Sequence, residues 1–280
     1  MTPNRQTGTD YQFQSEKAAK MSIQISLEGK VAIVTGGRRQ LGAAQAIRLA
    51  ECGADVCIAD IADDDHMQQT CAAIEALGRR SLPVVCDVAD RAQVKQMVAR
   101  CTAELGRIDI LVNNAGISSR ETLMHVTDEE WDAVFNINLK GLVMCARYAA
   151  EQMIAQGQGG TIVNLSSSTG LNANVSRGPY SVSKAGVIMA TKLLARELGE
   201  HNITVNALAP GFTSTAKIGG RDGQMFYRGE NETDKVMAKL AIQRQGEPVD
   251  YANAVLYLAS ELGSYVTGIT IPVDGGFTIR

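Results

Sequence analysis

Short β-branched runs recur along the chain, and between them lie longer stretches whose apolar residues repeat at helical spacing. VAIVT at 31–35 leads into a glycine-rich turn and the helix-forming AAQAIRLAECG at 43–53, then into VCIAD, which ends on Asp60. The alternation continues through a helix over 63–78, SLPVVCDV with Asp87 near its end, a helix over 90–105, IDILVN at 108–113 and a helix over 128–156. Two of these helices open on capping boxes, Asp90 with Gln93 and Thr127 with Glu130, whose side chains satisfy N-terminal amides. TIVNL at 161–165, a helix carrying Tyr180 and Lys184, ITVNALAP at 203–210, helices from about 234 and from Pro248, and ITIPVD at 269–274 complete the series. The runs are apolar at consecutive positions, the pattern of strands covered on both faces. Seven of them separated by helices predict an α/β fold with a doubly wound, mostly parallel seven-stranded sheet and helices on both sides. Residues 1–26 are polar and aperiodic, which predicts a flexible tail ahead of a single domain over 27–280.

Ligands of such sheets bind beyond the carboxyl ends of the strands. The stretch GPYSVSK at 178–184 falls in that zone. Tyr180 and Lys184 stand four residues apart on a helix and so project from one face. Pro179 suits a first helical turn, which puts the phenol at the positive end of the helix dipole. An ammonium beside it pushes the same way. A phenol poised nearer neutrality than its ordinary value of about 10 is the expectation from sequence, and with it general acid or base chemistry.

Taken with its other motifs, the chain resembles the short-chain dehydrogenase/reductase family from about Leu27 to Gly276. Thr35-Gly36-Gly37-Arg38-Arg39-Gln40-Leu41-Gly42 is similar to the family's T-G-x-x-x-G-x-G turn, and Asn113-Asn114-Ala115-Gly116 to its N-N-A-G. Ser167 with Tyr180-x-x-x-Lys184 resembles its catalytic set, Pro210-Gly211 with Thr215 its P-G-x-x-x-T, and Asn138 stands seven residues after Trp131, where the family has a catalytic asparagine. One departure is plain: Gln40 occupies the place of the middle glycine, where backbone would otherwise approach a pyrophosphate.

The resemblance implies a Rossmann fold and a nicotinamide cofactor. It implies that Gly36, Arg39, Gln40, Leu41 and Gly42 hold the diphosphate at the helix N-terminus, that Asp87 and Val88 lie against the adenine, and that Asn114, Ala115 and Gly116 meet the ribose. Pro210, Gly211, Thr213 and Thr215 would face the nicotinamide carboxamide and phosphates. Asp60 can accept from both hydroxyls of an adenine ribose, which favours NAD. Arg38 and Arg39 argue for NADP, but they are long and able to turn to solvent. Tyr180 would exchange a proton with the reacting oxygen, Lys184 would lower its pKa and hold the ribose, Ser167 would stabilise growing charge, and Asn138 would position a water. The segment 212–235 is glycine-rich and charged, the composition of a substrate lid. Arg221, Asp222, Tyr227, Arg228 and Asn231, with Asn172 and Asn174, give a polar lining, which leans towards a sugar, sugar acid or polyol. A 3-oxoacyl thioester reductase is the alternative enzyme, and a non-catalytic NAD-binding assembly protein the alternative of another class.

Composition changes this picture little. The chain has 280 residues, 45% of them hydrophobic and 20% charged, enough for one large core. A net charge of −3 with no Lys/Arg run gives no electrostatic footprint for nucleic acid or anionic membrane. The first twenty residues contain no apolar h-region, so a cytoplasmic location is expected. Six cysteines lie scattered without C-x-x-C spacing, and His66, His125 and His201 are far apart, so no metal site is expected. The helix from Lys184 to Leu198 is apolar around most of its girth, more than one sheet face requires, and predicts a homo-oligomer, dimer or tetramer.

Overall fold

The computed structural model describes residues 24–173, 177–213 and 237–279. Seven strands form one sheet: β1 (Val31–Thr35), β2 (Asp55–Asp60), β3 (Ser81–Val85), β4 (Ile110–Asn113), β5 (Gly160–Leu165), β6 (Ile203–Pro210) and β7 (Thr270–Val273). Their spatial order is β3-β2-β1-β4-β5-β6-β7, and every pairing is parallel. Chain order reverses between β1 and β4. The crevice that opens at such a switch point is where these sheets take ligands, and here it lies between the ends of Thr35 and Asn113.

Strand side chains alternate between two cores, as a period of two requires. Ile33, Cys57, Leu111, Ile162 and Val205 face helices α3 (Arg91–Leu105), α5 (Leu142–Gln156) and α7 (Gly178–Leu198). Ala32, Val34, Ile58, Val112, Val163 and Leu208 face α1 (Gln40–Glu51), α2 (Asp65–Ala76) and α8 (Pro248–Ala259). Continuous apolar strands follow from this double covering. Between the cores and the ligand end run buried amides: Asn113 Nδ2 donates to Asn164 Oδ1 at 2.9 Å, and Asn164 Nδ2 to Thr191 Oγ1 at 3.0 Å. That chain ties β4, β5 and α7 together directly beneath the site.

Both predicted capping residues act as caps. Asp90 accepts from the amides of Ala92 and Gln93, and Thr127 from that of Glu130. The helix expected over 128–156 is interrupted: α4 (Asp128–Phe135) passes into a π turn over Asn136–Gly141 before α5 begins. An i→i+5 turn leaves no signature in hydrophobic spacing, and such turns cluster at functional sites. β3 also stops at Val85, before the predicted SLPVVCDV run ends. All six cysteines are free thiols. Among the described residues no group of His, Cys, Asp or Glu is arranged to hold a metal, and no helix is long and apolar enough to cross a membrane. Most of the expected tail (1–23), the start of the helix placed near 234, and 214–235 of the expected lid lie outside the described residues.

Candidate active site

The glycine turn after β1 is closed from two sides. Gly36 takes φ +63°, and a Cβ there would come within 2.8 Å of Ala115 Cα. A Cβ on Gly42 would overlap the Gly36 carbonyl oxygen. Asn114 Nδ2 donates to the carbonyls of Thr35 (3.1 Å) and Gly36 (2.9 Å), while Thr35 Oγ1 accepts from the amides of Asn114 and Ala115, both at 3.1 Å. Turn and N-N-A-G loop therefore form one knot across the switch point, packed too closely for a Cβ at either glycine, with the N-terminus of α1 directly after it. Gln40 adopts φ +51°. A left-handed conformation costs a side-chain-bearing residue roughly 1–2 kcal/mol, so the turn keeps a glycine's geometry although the glycine is gone. Leu41 continues the half-buried rim, and extended Arg39 caps α1 through its backbone.

At the end of β2 the structure corrects the expectation from sequence. Arg38 does not turn to solvent: its side chain is 11% exposed, its Nε donates to Asp60 Oδ1 at 3.1 Å and its Nη1 bonds Asp64 Oδ2. The Arg38 and Ile61 amides also donate to Asp60, to Oδ2 and Oδ1 respectively. A carboxylate offers about four acceptor positions. Three are taken, so Asp60 can receive one ribose hydroxyl rather than both. Asp87 accepts from the Ala89 amide at 2.9 Å, a loop-capping bond, and Val88 is buried beside Gly141, whose added Cβ would meet the Val88 carbonyl.

Ser167, Tyr180 and Lys184 converge. Ser167 lies at the end of β5 and caps α6 (Ser168–Leu171) by accepting from Thr169. Its hydroxyl lies near enough to the phenol of Tyr180 to lower the phenol's pKa, and Tyr180 sits in the first turn of α7 after Pro179. Lys184 Nζ donates to the Leu165 carbonyl at 2.7 Å and lies 5.7 Å from the Tyr180 ring centre. Burial pushes the Lys184 ammonium down to about 8. The phenol is the second correction: burial raises its pKa, outweighing the nearby Ser167 hydroxyl and Arg177 charge that lower it. A sequence shows the neighbours of a phenol along a helix but not how much water the fold removes from it.

Asn138 lies in the π turn and is fully buried. Its Nδ2 donates to the Ile117 carbonyl (2.9 Å) and to Ser183 Oγ (3.2 Å), and its Oδ1 accepts from the Ile117 amide (2.8 Å). Both amide hydrogens are thus spent on holding the β4 loop to α7. A Cβ on Gly116 would stand 3.1 Å from Asn138 Oδ1 and 3.5 Å from Lys184 Nζ, so only glycine leaves that corner open. Beyond β6, Pro210 ends the strand and Gly211 packs on Asp274. Thr213 Oγ1 pairs with Tyr251 Oη at 2.7 Å. Thr215, Asn174, Arg221, Asp222, Tyr227, Arg228 and Asn231 lie outside the described residues. Arg177 carried no sequence signal: its Cζ lies 5.9 Å from the Tyr180 ring centre and its Nη1 is 3.4 Å from Ser118 Oγ, so a half-buried cation borders the phenol. Its position three residues ahead of Tyr180 was the one available clue.

A family profile described as enoyl-(acyl carrier protein) reductase matches residues 36–278. The chain is 38% identical to the 2-dehydro-3-deoxy-D-gluconate 5-dehydrogenase of Escherichia coli K12, over 91% of this chain and 98% of that one. It is 39% identical to the 3-oxoacyl-(acyl carrier protein) reductase of Thermotoga maritima, over 91% of this chain and all (100%) of that one. The crystal structure of carveol dehydrogenase from Mycobacterium avium in complex with NAD superposes with a TM-score of 0.86 at 30% identity, covering 91% and 100% of the two chains. With cradle, phenol, hydroxyl and amine assembled at one switch point and these relatives matched nearly end to end, the chain belongs to the short-chain dehydrogenase/reductase family, nicotinamide-dependent oxidoreductases acting on a CH–OH group.

Proposed function

We propose that the protein interconverts a secondary alcohol and its ketone on a small hydroxylated acid, with NAD as cofactor. The glycine knot over Thr35–Gly42, Asp60, Asn114 to Gly116 and the backbone after Pro210 would hold the dinucleotide. Bound there, its nicotinamide ring supplies or takes up the hydride. The remaining tasks fall to the chain's own side chains. Tyr180 gives its proton to the carbonyl oxygen in reduction and removes it from the hydroxyl in oxidation. Ser167, beside the phenol, donates to the same oxygen and stabilises its growing negative charge. Lys184, with a pKa near 8, exchanges protons at physiological pH and can recharge the phenol. Asn138 holds the β4 loop and α7 at fixed separation. Its role is positioning.

The observation that carries the acid is Arg177, a guanidinium whose Cζ lies 5.9 Å from the phenol's ring centre and which could pair with a carboxylate on a substrate held against that phenol. The E. coli relative acts on a sugar acid by its name, which agrees. The Thermotoga relative favours a second reading, reduction of a 3-oxoacyl thioester. Nicotinamide absorbance across sugar acids, neutral polyols and oxoacyl thioesters, with NAD and NADP in turn, separates the two. A sugar acid is expected to be preferred, and Arg177→Gln to raise its KM about tenfold, the loss of one charge-assisted bond of roughly 1.5 kcal/mol, with polyol KM unchanged. Polyols or thioesters turned over faster than every acid would sink this substrate class.

We also infer a homo-oligomer. Val182, Met189 and Leu193 form one stripe on α7 and are 40%, 56% and 55% exposed, and α5 likewise exposes Val143 and Ile154. Light scattering at micromolar concentration is expected to give a dimer or tetramer. A monomer there would refute it.

A further inference from the structure

Arg38 joins two loops that sequence alone leaves unconnected. Its backbone belongs to the glycine turn after β1, held by the Thr70 hydroxyl, which donates to the Arg38 carbonyl at 2.9 Å. Its guanidinium lies between Asp60, at the tip of β2, and Asp64, the N-cap of α2. One cation between two carboxylates leaves a net negative group at the corner where an adenosine 2′ substituent would sit. A 2′-hydroxyl can donate to the last open acceptor position of Asp60. A 2′-phosphate brings further negative charge and requires a cation with donors to spare, and the Arg38 guanidinium is committed to carboxylates.

We propose that Asp64 is the residue that commits this site to the unphosphorylated dinucleotide, by holding the Arg38 guanidinium against Asp60 and withdrawing it from any 2′-phosphate. Asp60 is the contact, Arg38 the latent phosphate ligand, and Asp64 the positioning residue that decides between them. Asp64 works from α2 without touching the nucleotide. This rests on reading the turn as a dinucleotide site.

The test is the substitution Asp64→Ser, which keeps a capping oxygen for the His66 and Met67 amides while removing the charge. NADH and NADPH affinities are read by nicotinamide fluorescence titration, which needs no substrate. NADPH is expected to bind about fivefold more tightly to the variant than to the wild type, NADH to change less than twofold, and the gain to vanish in the double variant Asp64→Ser with Arg38→Gln. An unchanged NADPH affinity overturns the proposal. So does a gain that survives loss of the arginine, since it would then come from general charge removal. A wild-type protein that binds neither dinucleotide would instead remove the underlying cofactor reading, a result distinct from either.

Discussion

Tyr180→Phe is expected to lower turnover about a thousandfold while NADH binding stays within twofold of wild type. The substitution deletes one oxygen and keeps the ring, so the packing beneath Arg177 and beside Lys184 survives. Ser167 retains its bonds from Thr169. What disappears is the proton that must reach or leave the reacting oxygen, a contribution typically of 10²–10⁴ in rate. Stopped-flow reduction and fluorescence titration on one preparation separate the two effects. Retained turnover would show that the phenol is not the proton donor, and lost binding would show that it is structural.

Lys184→Met is expected to abolish turnover and yet stabilise the cofactor-free protein. The buried ammonium has a pKa pushed from 10.5 to about 8, so its charged form is held in the fold at a cost of roughly 3 kcal/mol. The sign follows from proton counting. Between about 8 and 10.5 the unfolded chain keeps a proton that the native state has released, so wild-type stability rises with pH across that window and the full cost stands below it. Methionine removes the charge at similar length and leaves the Leu165 carbonyl without its donor, which returns part of the gain. A net 1–2 kcal/mol corresponds to a melting point higher by roughly 2–3 °C for a chain of this size. The gap should narrow as pH approaches 10. A variant that melts lower than wild type at pH 7, or a gap independent of pH, would contradict the assignment of the shift to burial of this charge.

The fold was readable because each strand is covered on both faces and so appears as an uninterrupted apolar word, VAIVT or TIVNL, between helical segments. Glycines whose added Cβ would strike backbone, Gly36 and Gly42, marked the cradle for the same local reason. What stayed hidden depends on distance in space. Arg38 and Asp64 are 26 residues apart, and no pattern announces that the guanidinium reaches across to the α2 cap. The phenol of Tyr180 looked activated from its helix position and its lysine neighbour, whereas burial in the fold drives its pKa upward. Arg177 stands in a loop without periodicity, so only its approach to the ring reveals it.

The wide turn at Asn136–Gly141 sets the rotational phase of everything after it. One extra residue in a helical ladder advances the following side chains by about 100°, so the side chains of α5 stand out of step with those of α4. The inner demand, Asn138 aimed between Ile117 and Ser183, is thereby uncoupled from the outer one, which face of α5 looks away from the sheet. The amide at the base of that helix keeps its bearing whichever face of α5 a second subunit covers.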